Sequence, residues 1–128
     1  MGLALVALLL TGAPDAGAAG YEDAQTVVIA TAKGSQLLIE VSVKAGFHLN
    51  DDYPINFKPD FEGPKVDKKA MTIVPCLGHP EGRCGVKIPV PVPPSLKGQL
   101  VSGTLAFAAC DADVCLIKKV PLAVRVER

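Results

Sequence analysis

Two cysteines near the C-terminal end of the sequence are the residues best suited to chemistry. Cys110 and Cys115 flank the four residues DADV, and a strand-like run lies on either side of them. If these runs pair as antiparallel strands, DADV is a hairpin loop of a common length. The two cysteines then face each other at the base of the loop, close enough for a disulfide. The pair predicts either a structural bridge or a site of thiol–disulfide exchange.

The short loop between the cysteines limits how much a disulfide there could stabilise the fold. Closing so few residues stabilises a fold by only about 2 kcal/mol in the chain-entropy estimate, which is near the low end for disulfides. A bridge between distant strands would stabilise the fold more. The small loop and its surface position thus count towards a redox role, but the spacing alone still favours a structural bridge, with exchange as the alternative.

Charged residues around the pair predict its redox character. Asp111 and Asp113 lie between the two sulfurs, and their negative charge disfavours a thiolate. We therefore expect a reductant or an inert bridge, because oxidising pairs have a stabilised thiolate. Lys118 and Lys119 follow Cys115 and offset part of this charge, which makes Cys115 the predicted attacking sulfur.

A second pair, Cys76 and Cys84, lies in the stretch PCLGHPEGRC. The first interpretation is a small structural disulfide across a Gly/Pro loop, and a sharper one is that it rigidifies a cap over the other pair. A third is a zinc or Cu(I) site made of these cysteines with His79 and His48. Four cysteines allow three connectivities, so cross-pairing stays open. Exported chains tend to oxidise their thiols, and we predict no metal and no cofactor.

The rest of the sequence is patterned as β-strands separated by turn residues. In QLLIEVSV, for example, apolar and polar residues alternate, as in a strand with one buried face. Strands are predicted at 25–31, 36–43, 86–94, 99–110 and 118–128, with a short one at 54–57. Prolines in the segment 86–94 predict an edge strand, because proline cannot donate to a ladder. The predicted fold is an all-β, immunoglobulin-like β-sandwich, a single domain over 19–128.

The N-terminal residues 1–18 are predicted to be a signal peptide. An apolar run from Leu3 to Leu10 is followed by small residues and ends in Ala-Gly-Ala. We therefore expect export to the periplasm or secretion, with no membrane span after removal of the signal. Lys and Arg equal Asp and Glu at 13 each, so there is no basic field to bind nucleic acid.

Two stretches resemble a known family. KAGFHLNDDYPINFKPD, followed about fifty residues later by LAFAACDADVCLIKKVPLAV, is similar to the N-terminal periplasmic domain of the thiol:disulfide interchange protein DsbD. The resemblance implies an immunoglobulin-like fold with a redox-active pair at Cys110 and Cys115. It also implies that Phe47, His48 and Asn50 lie beside that pair.

The resemblance further implies a function. The chain would be a monomeric module that passes reducing equivalents through Cys110 and Cys115, with thioredoxin-like periplasmic proteins as electron donor or acceptor. His48 would then serve as a proton acceptor, or else be an ordinary strand-end histidine. The family carries an aromatic shielding loop where this sequence has PCLGHPEGRC, and often prolines where it has CLIKK. The alternative function is a non-catalytic, exported immunoglobulin-like domain that binds a protein partner and contains two structural disulfides.

Overall fold

In the computed structural model, the described residues are 18–50 and 52–127, with only the backbone described at 79–81. The predicted signal peptide therefore lies outside this range, apart from Ala18. Within the described residues the chain forms nine strands and two single-turn 3₁₀ helices, at Lys68–Ala70 and Pro94–Leu96. The strands are β1 Ala18–Glu22, β2 Thr26–Lys33, β3 Gln36–Val43, β4 His48–Leu49, β5 Asn56–Pro59, β6 Thr72–Cys76, β7 His79–Pro91, β8 Leu100–Cys110 and β9 Cys115–Arg125. None of the helices in this part of the chain is long and apolar enough to cross a membrane.

The strands form two antiparallel sheets. The first has the order β1-β2-β3-β7-β6, and the second is built around β8. The full length of β8 pairs with β9, while β4 and β5 pair with different parts of its other edge. The prediction of an all-β sandwich in a single domain is confirmed.

One hydrophobic core lies between the sheets, and a period of two along each strand creates it. Alternate residues of the long strands are buried, and their neighbours face outward. The most deeply buried side chains include Val28, Leu37, Ile39, Leu49, Val86, Ile88, Leu105, Phe107, Val120 and Val124. Full burial of each large apolar side chain contributes about 1.5–3 kcal/mol before the entropic cost of ordering.

β7 differs from its prediction as an edge strand. It pairs with β3 over residues 85–91 and also with β6 as far as Lys87. Only the end that carries Pro89 and Pro91 has an open side, which is where residues without an N–H donor are tolerated. The sequence did not predict β6, because the five residues of this strand are largely exposed and do not alternate.

Candidate functional site at the end of the β8–β9 hairpin

The last residue pair of the β8–β9 hairpin is a disulfide. The register places Cys110 opposite Cys115, and the two sulfurs are bonded. The second disulfide joins Cys76 to Cys84, so the cross-paired alternatives are wrong. Bonded sulfurs are not the thiolates that bind zinc or Cu(I). In the described part of the chain no cluster of His, Cys, Asp and Glu could hold a metal ion.

Asp111 fixes the loop between the two cysteines. Its Oδ1 accepts hydrogen bonds of 2.8 Å from the backbone N–H groups of Asp113 and Val114. Its own N–H donates to the Val114 carbonyl oxygen at 2.9 Å. The amides of Val114 and Asp113, with a smaller effect of His48, hold the pKa of this carboxyl below its usual range. A fixed negative charge therefore lies next to the bridge at neutral pH.

The two sulfurs of this bridge differ in accessibility. Cys110, on β8 between β4 and β9, is only 2% exposed. Cys115 begins β9 and is exposed. Side chains of the pair lie on the outer face of the sheet, opposite the buried Leu105 and Phe107. An incoming thiol or disulfide therefore meets Cys115 first.

The short strand β4 brings the predicted supporting residues to the same place. His48 pairs with Cys110, and Leu49, which pairs with Ala109, points into the core. The alternation places His48 and Asn50 on the outer face beside the disulfide. The side-chain nitrogen of Asn50 lies 3.4 Å from the sulfur of Cys115. The structure thus brings four of the five predicted residues into one cluster.

Phe47, the fifth predicted residue, lies at the edge of this cluster and beside the other disulfide. The carbonyl oxygen of Phe47 is 3.7 Å from the sulfur of Cys84. A bonded sulfur has no proton to donate, so we regard this as a packing contact. Residues 43–48, 74–77, Gly82 and Cys84 line an open groove of about 850 Å³, whose lining therefore includes Phe47, His48 and the fully exposed Leu77. His48 therefore borders both the groove and the Cys110–Cys115 bridge.

The prediction that Lys118 offsets the negative charge near Cys115 is wrong. Its ammonium group lies 2.9 Å from Asp23 Oδ2 and 2.6 Å from Gln25 Oε1, in the turn between β1 and β2. The alternation along β9 places Lys118 on the core side of the strand with Val120, whereas Cys115 faces outward. The Lys118 charge is thus neutralised at the end of the sandwich.

Asp23 is the centre of this polar contact and was not predicted to matter. Burial tends to raise the pKa of Asp23, but hydrogen bonds from Tyr21, Lys118 and the backbone amides of Gln25 and Thr26 outweigh burial and lower the pKa far below its usual range. The carboxylate therefore stays charged and joins the first sheet to β9. The stretch EDAQT contained a signal for this turn. It places Asp23 three residues before Thr26, and Asp side chains often hydrogen-bond the backbone of a turn.

Exposed apolar side chains lie next to Cys115 in the chain. Val114, Leu116 and Ile117 are 50%, 37% and 60% exposed. Ile117 shares the outer face of the sheet with Cys115, whereas Leu116 lies on the same side of β9 as Lys118. Exposed apolar residues beside an accessible sulfur offer contacts to another protein. The sequence analysis did not identify these residues, because Val114 lies in the predicted loop and the other two lie between the cysteine pair and the predicted C-terminal strand.

Comparison of the chain with protein-family models, with curated proteins and with solved structures gave no match. The resemblance to the N-terminal domain of DsbD therefore depends on the two quoted stretches of sequence and stays a prediction.

Proposed function

We propose that this protein is an exported thiol–disulfide exchange module that reacts through Cys110 and Cys115. The observation that carries the proposal is the asymmetry of the bridge: an exposed sulfur is bonded to a buried one at the end of a hairpin. This arrangement lets one sulfur meet a partner while the other stays in place to complete the exchange. The resemblance to the DsbD N-terminal domain agrees with it.

The exchange conserves atoms and electrons. In the reduced protein, the Cys115 thiolate attacks a disulfide of the partner, and one partner sulfur leaves as a thiolate. The mixed disulfide joins Cys115 to the other partner sulfur. Cys110 then loses its proton, to solvent or to the adjacent imidazole of His48, and attacks the Cys115 sulfur. The Cys110–Cys115 bond forms again, and the partner leaves with two more electrons.

The electrostatics favour the role of reductant. The ionised Asp111 next to the bridge disfavours thiolates, and Lys118 does not compensate because its charge is paired with Asp23. A pair whose thiolate is opposed by a neighbouring carboxylate gives up its electrons more readily than one whose thiolate is stabilised by a cation. Thioredoxin-like proteins are the proposed partners, and the exposed Val114 and Ile117 beside Cys115 offer them apolar contacts. Two disulfides and the predicted signal peptide support export to the periplasm or secretion.

Trapping of mixed disulfides tests the proposal. Cys110→Ser leaves Cys115 as the free thiol of the pair, and Cys115→Ser is the matched control that leaves the buried Cys110. Each variant is mixed with a thioredoxin-like protein whose resolving cysteine is replaced by Ser and whose other cysteine is activated as a mixed disulfide with 5-thio-2-nitrobenzoate. That small thiolate leaves, no partner thiol can reverse the complex, and covalent complexes are counted on non-reducing gels. We expect the Cys110→Ser variant to form at least about tenfold more complex, because only its thiol is accessible. Equal trapping, or none in either variant, would contradict the proposal.

The alternative function, a binding domain with two structural disulfides, has one observation in its favour. The exposed Val114 and Ile117 provide apolar contacts beside the bridge whether or not the bridge reacts. Replacing both Cys110 and Cys115 by Ser separates the two functions. A partner that binds the double variant as tightly as the wild type, and forms no mixed disulfide with Cys110→Ser, would support the binding domain.

A further inference from the structure

We propose that Asn50 is a catalytic residue of this exchange: its side-chain amide donates a hydrogen bond to the Cys115 sulfur and stabilises it as the thiolate when the bridge opens. The inference rests on the proposed function, because it concerns the same sulfur. It assigns a chemical role to a residue that the sequence placed only in the neighbourhood of the pair.

The position of Asn50 is fixed by its backbone. Its N–H donates a 3.0 Å hydrogen bond to the carbonyl oxygen of Ala108, two residues before Cys110 on β8. β9, which carries Cys115, lies on the other edge of β8. The Asn50 side chain must therefore reach across the outer face of β8 to bring its nitrogen within 3.4 Å of the Cys115 sulfur. This path also helps to explain why Cys110 beneath it is buried.

The orientation of the Asn50 amide is determined by a second contact. The backbone N–H of Asp52 donates a 2.7 Å hydrogen bond to the side-chain oxygen of Asn50. Rotating the amide by half a turn would place two donors against each other at Asp52 and an oxygen against the sulfur. The nitrogen must therefore face Cys115. A donor that is already oriented needs no rearrangement when charge develops on the sulfur.

The other charged groups near Cys115 do not fill this role. The carboxylates of Asp111 and Asp113 in the loop, and of Asp52 after β4, carry negative charge and oppose a thiolate. Lys118 is paired with Asp23, and Lys119 lies four residues further along β9. His48 faces Cys110 across the β4–β8 pair. Within the described residues, the Asn50 amide is the side-chain donor at hydrogen-bond distance from the Cys115 sulfur.

The proposed bond predicts a particular pH dependence. The free energy of a hydrogen bond to a charged group is equivalent to a pKa shift of about one unit. Removing the Asn50 donor should therefore raise the pKa of the Cys115 thiol by about that amount. The thiolate fraction near neutral pH then falls about tenfold. Each thiolate becomes about threefold more nucleophilic, because reactivity rises with pKa at a Brønsted slope of about 0.4–0.5. The net rate should fall about threefold near neutral pH and exceed the original rate in strongly alkaline solution.

The experiment uses the full chain with Cys110→Ser, which leaves Cys115 free and the Cys76–Cys84 bridge intact. The rate of alkylation by iodoacetamide is measured across the pH range with and without Asn50→Leu. The matched control is Asn56→Leu, an exposed asparagine that pairs with Ala106, about 13 Å along β8 from Cys110. We expect the midpoint of the Asn50→Leu profile to move up by about one pKa unit, and that of Asn56→Leu to stay unchanged.

Asn50→Asp is the second variant in case Asn50→Leu does not fold. It preserves size and the acceptor for the Asp52 N–H, and replaces the donor by a carboxylate oxygen, so its midpoint should move up further. An unchanged midpoint in the Asn50 variants, or a slower rate at every pH without a shift, would overturn the inference. Alkylation requires no partner protein. A shifted midpoint therefore supports the role of Asn50 even if the trapping experiment contradicts the proposed function.

Discussion

Replacing Gly103 by Ala should destabilise the protein strongly, although it adds a single methyl group. Gly103 lies in β8 and is buried where Phe57 of β5 covers it. An added Cβ would collide with the Phe57 ring, whose Cε1 is 2.9 Å away, and would lie 2.7 Å from the carbonyl oxygen of Lys58. These distances are shorter than real Cβ contacts. Neither neighbour can move away easily. Phe57 is enclosed by the core, and the Lys58 carbonyl belongs to β5, which is paired with β8.

The expected loss follows from this geometry. Overpacking a closed core costs about 1–3 kcal/mol, and we expect Gly103→Ala in the upper half of that range because one contact is with backbone. A loss of about 2–3 kcal/mol corresponds to a melting temperature about 10–20 °C lower for a domain of this size.

Gly20→Ala is the matched control. A Cβ at Gly20 would meet its nearest neighbour, the carbonyl oxygen of Val28, at 3.7 Å, an ordinary contact. We expect this variant within about 0.5 kcal/mol of the wild type or slightly more stable, since Ala restricts the unfolded chain. Both variants and the wild type are unfolded by heat and by urea in the oxidised state and followed by circular dichroism. A Gly103→Ala protein within about 0.5 kcal/mol of the wild type would refute the reasoning.

Three further predictions concern the ends of the sandwich. Asp23→Asn should lower the free energy of unfolding at neutral pH by about 2 kcal/mol, because the largely buried Lys118 loses its ion pair. Because the pKa of Asp23 is lowered in the folded protein, its charge stabilises the fold at pH values above the ordinary carboxyl pKa of about 4. This contribution is lost as the pH falls further. In denaturant titrations the wild type should therefore lose more stability in acid than the variant. Replacing Cys76 and Cys84 by Ser should cost about 2.5 kcal/mol, the chain-entropy value for a loop of this size, and mass spectrometry should still find the other bridge. Leu77→Asp should change the unfolding free energy by less than about 0.5 kcal/mol, because this side chain is 99% exposed, and a larger loss would show that the hairpin tip is packed.

Alternation of apolar and polar residues predicted most of the framework. It located β2, β3 and β8, because each has one face in the core. The same pattern, combined with the loop length, placed Cys110 opposite Cys115 in the correct register. β6 was not predicted, because its residues are mostly exposed. As a result, the part of β7 that pairs with β6 was wrongly predicted to lie at the edge of the sheet.

The electrostatics of the site were harder to predict than its position. Proximity in sequence suggested that the charge of Lys118 stabilises a thiolate at Cys115. Residues three apart on a strand point to opposite faces, however, so Lys118 faces away from Cys115. The partner of Lys118 is Asp23, almost a hundred residues earlier, which only the packing of the two sheets brings into contact. Asn50 was predicted near the pair, but the direction of its amide depends on the backbone of Asp52 and has no sequence signal.

The redox equilibrium of the two bridges tests the central claim most directly. The oxidised protein is equilibrated in thiol buffers of increasing reducing strength, the free thiols are blocked, and each bridge is quantified by peptide mass spectrometry. We predict that Cys110–Cys115 opens at about −200 to −270 mV, the range of proteins that exchange reducing equivalents, while Cys76–Cys84 resists until below about −300 mV. If both bridges open only below about −300 mV, Cys110–Cys115 is a structural disulfide and the proposed exchange is wrong.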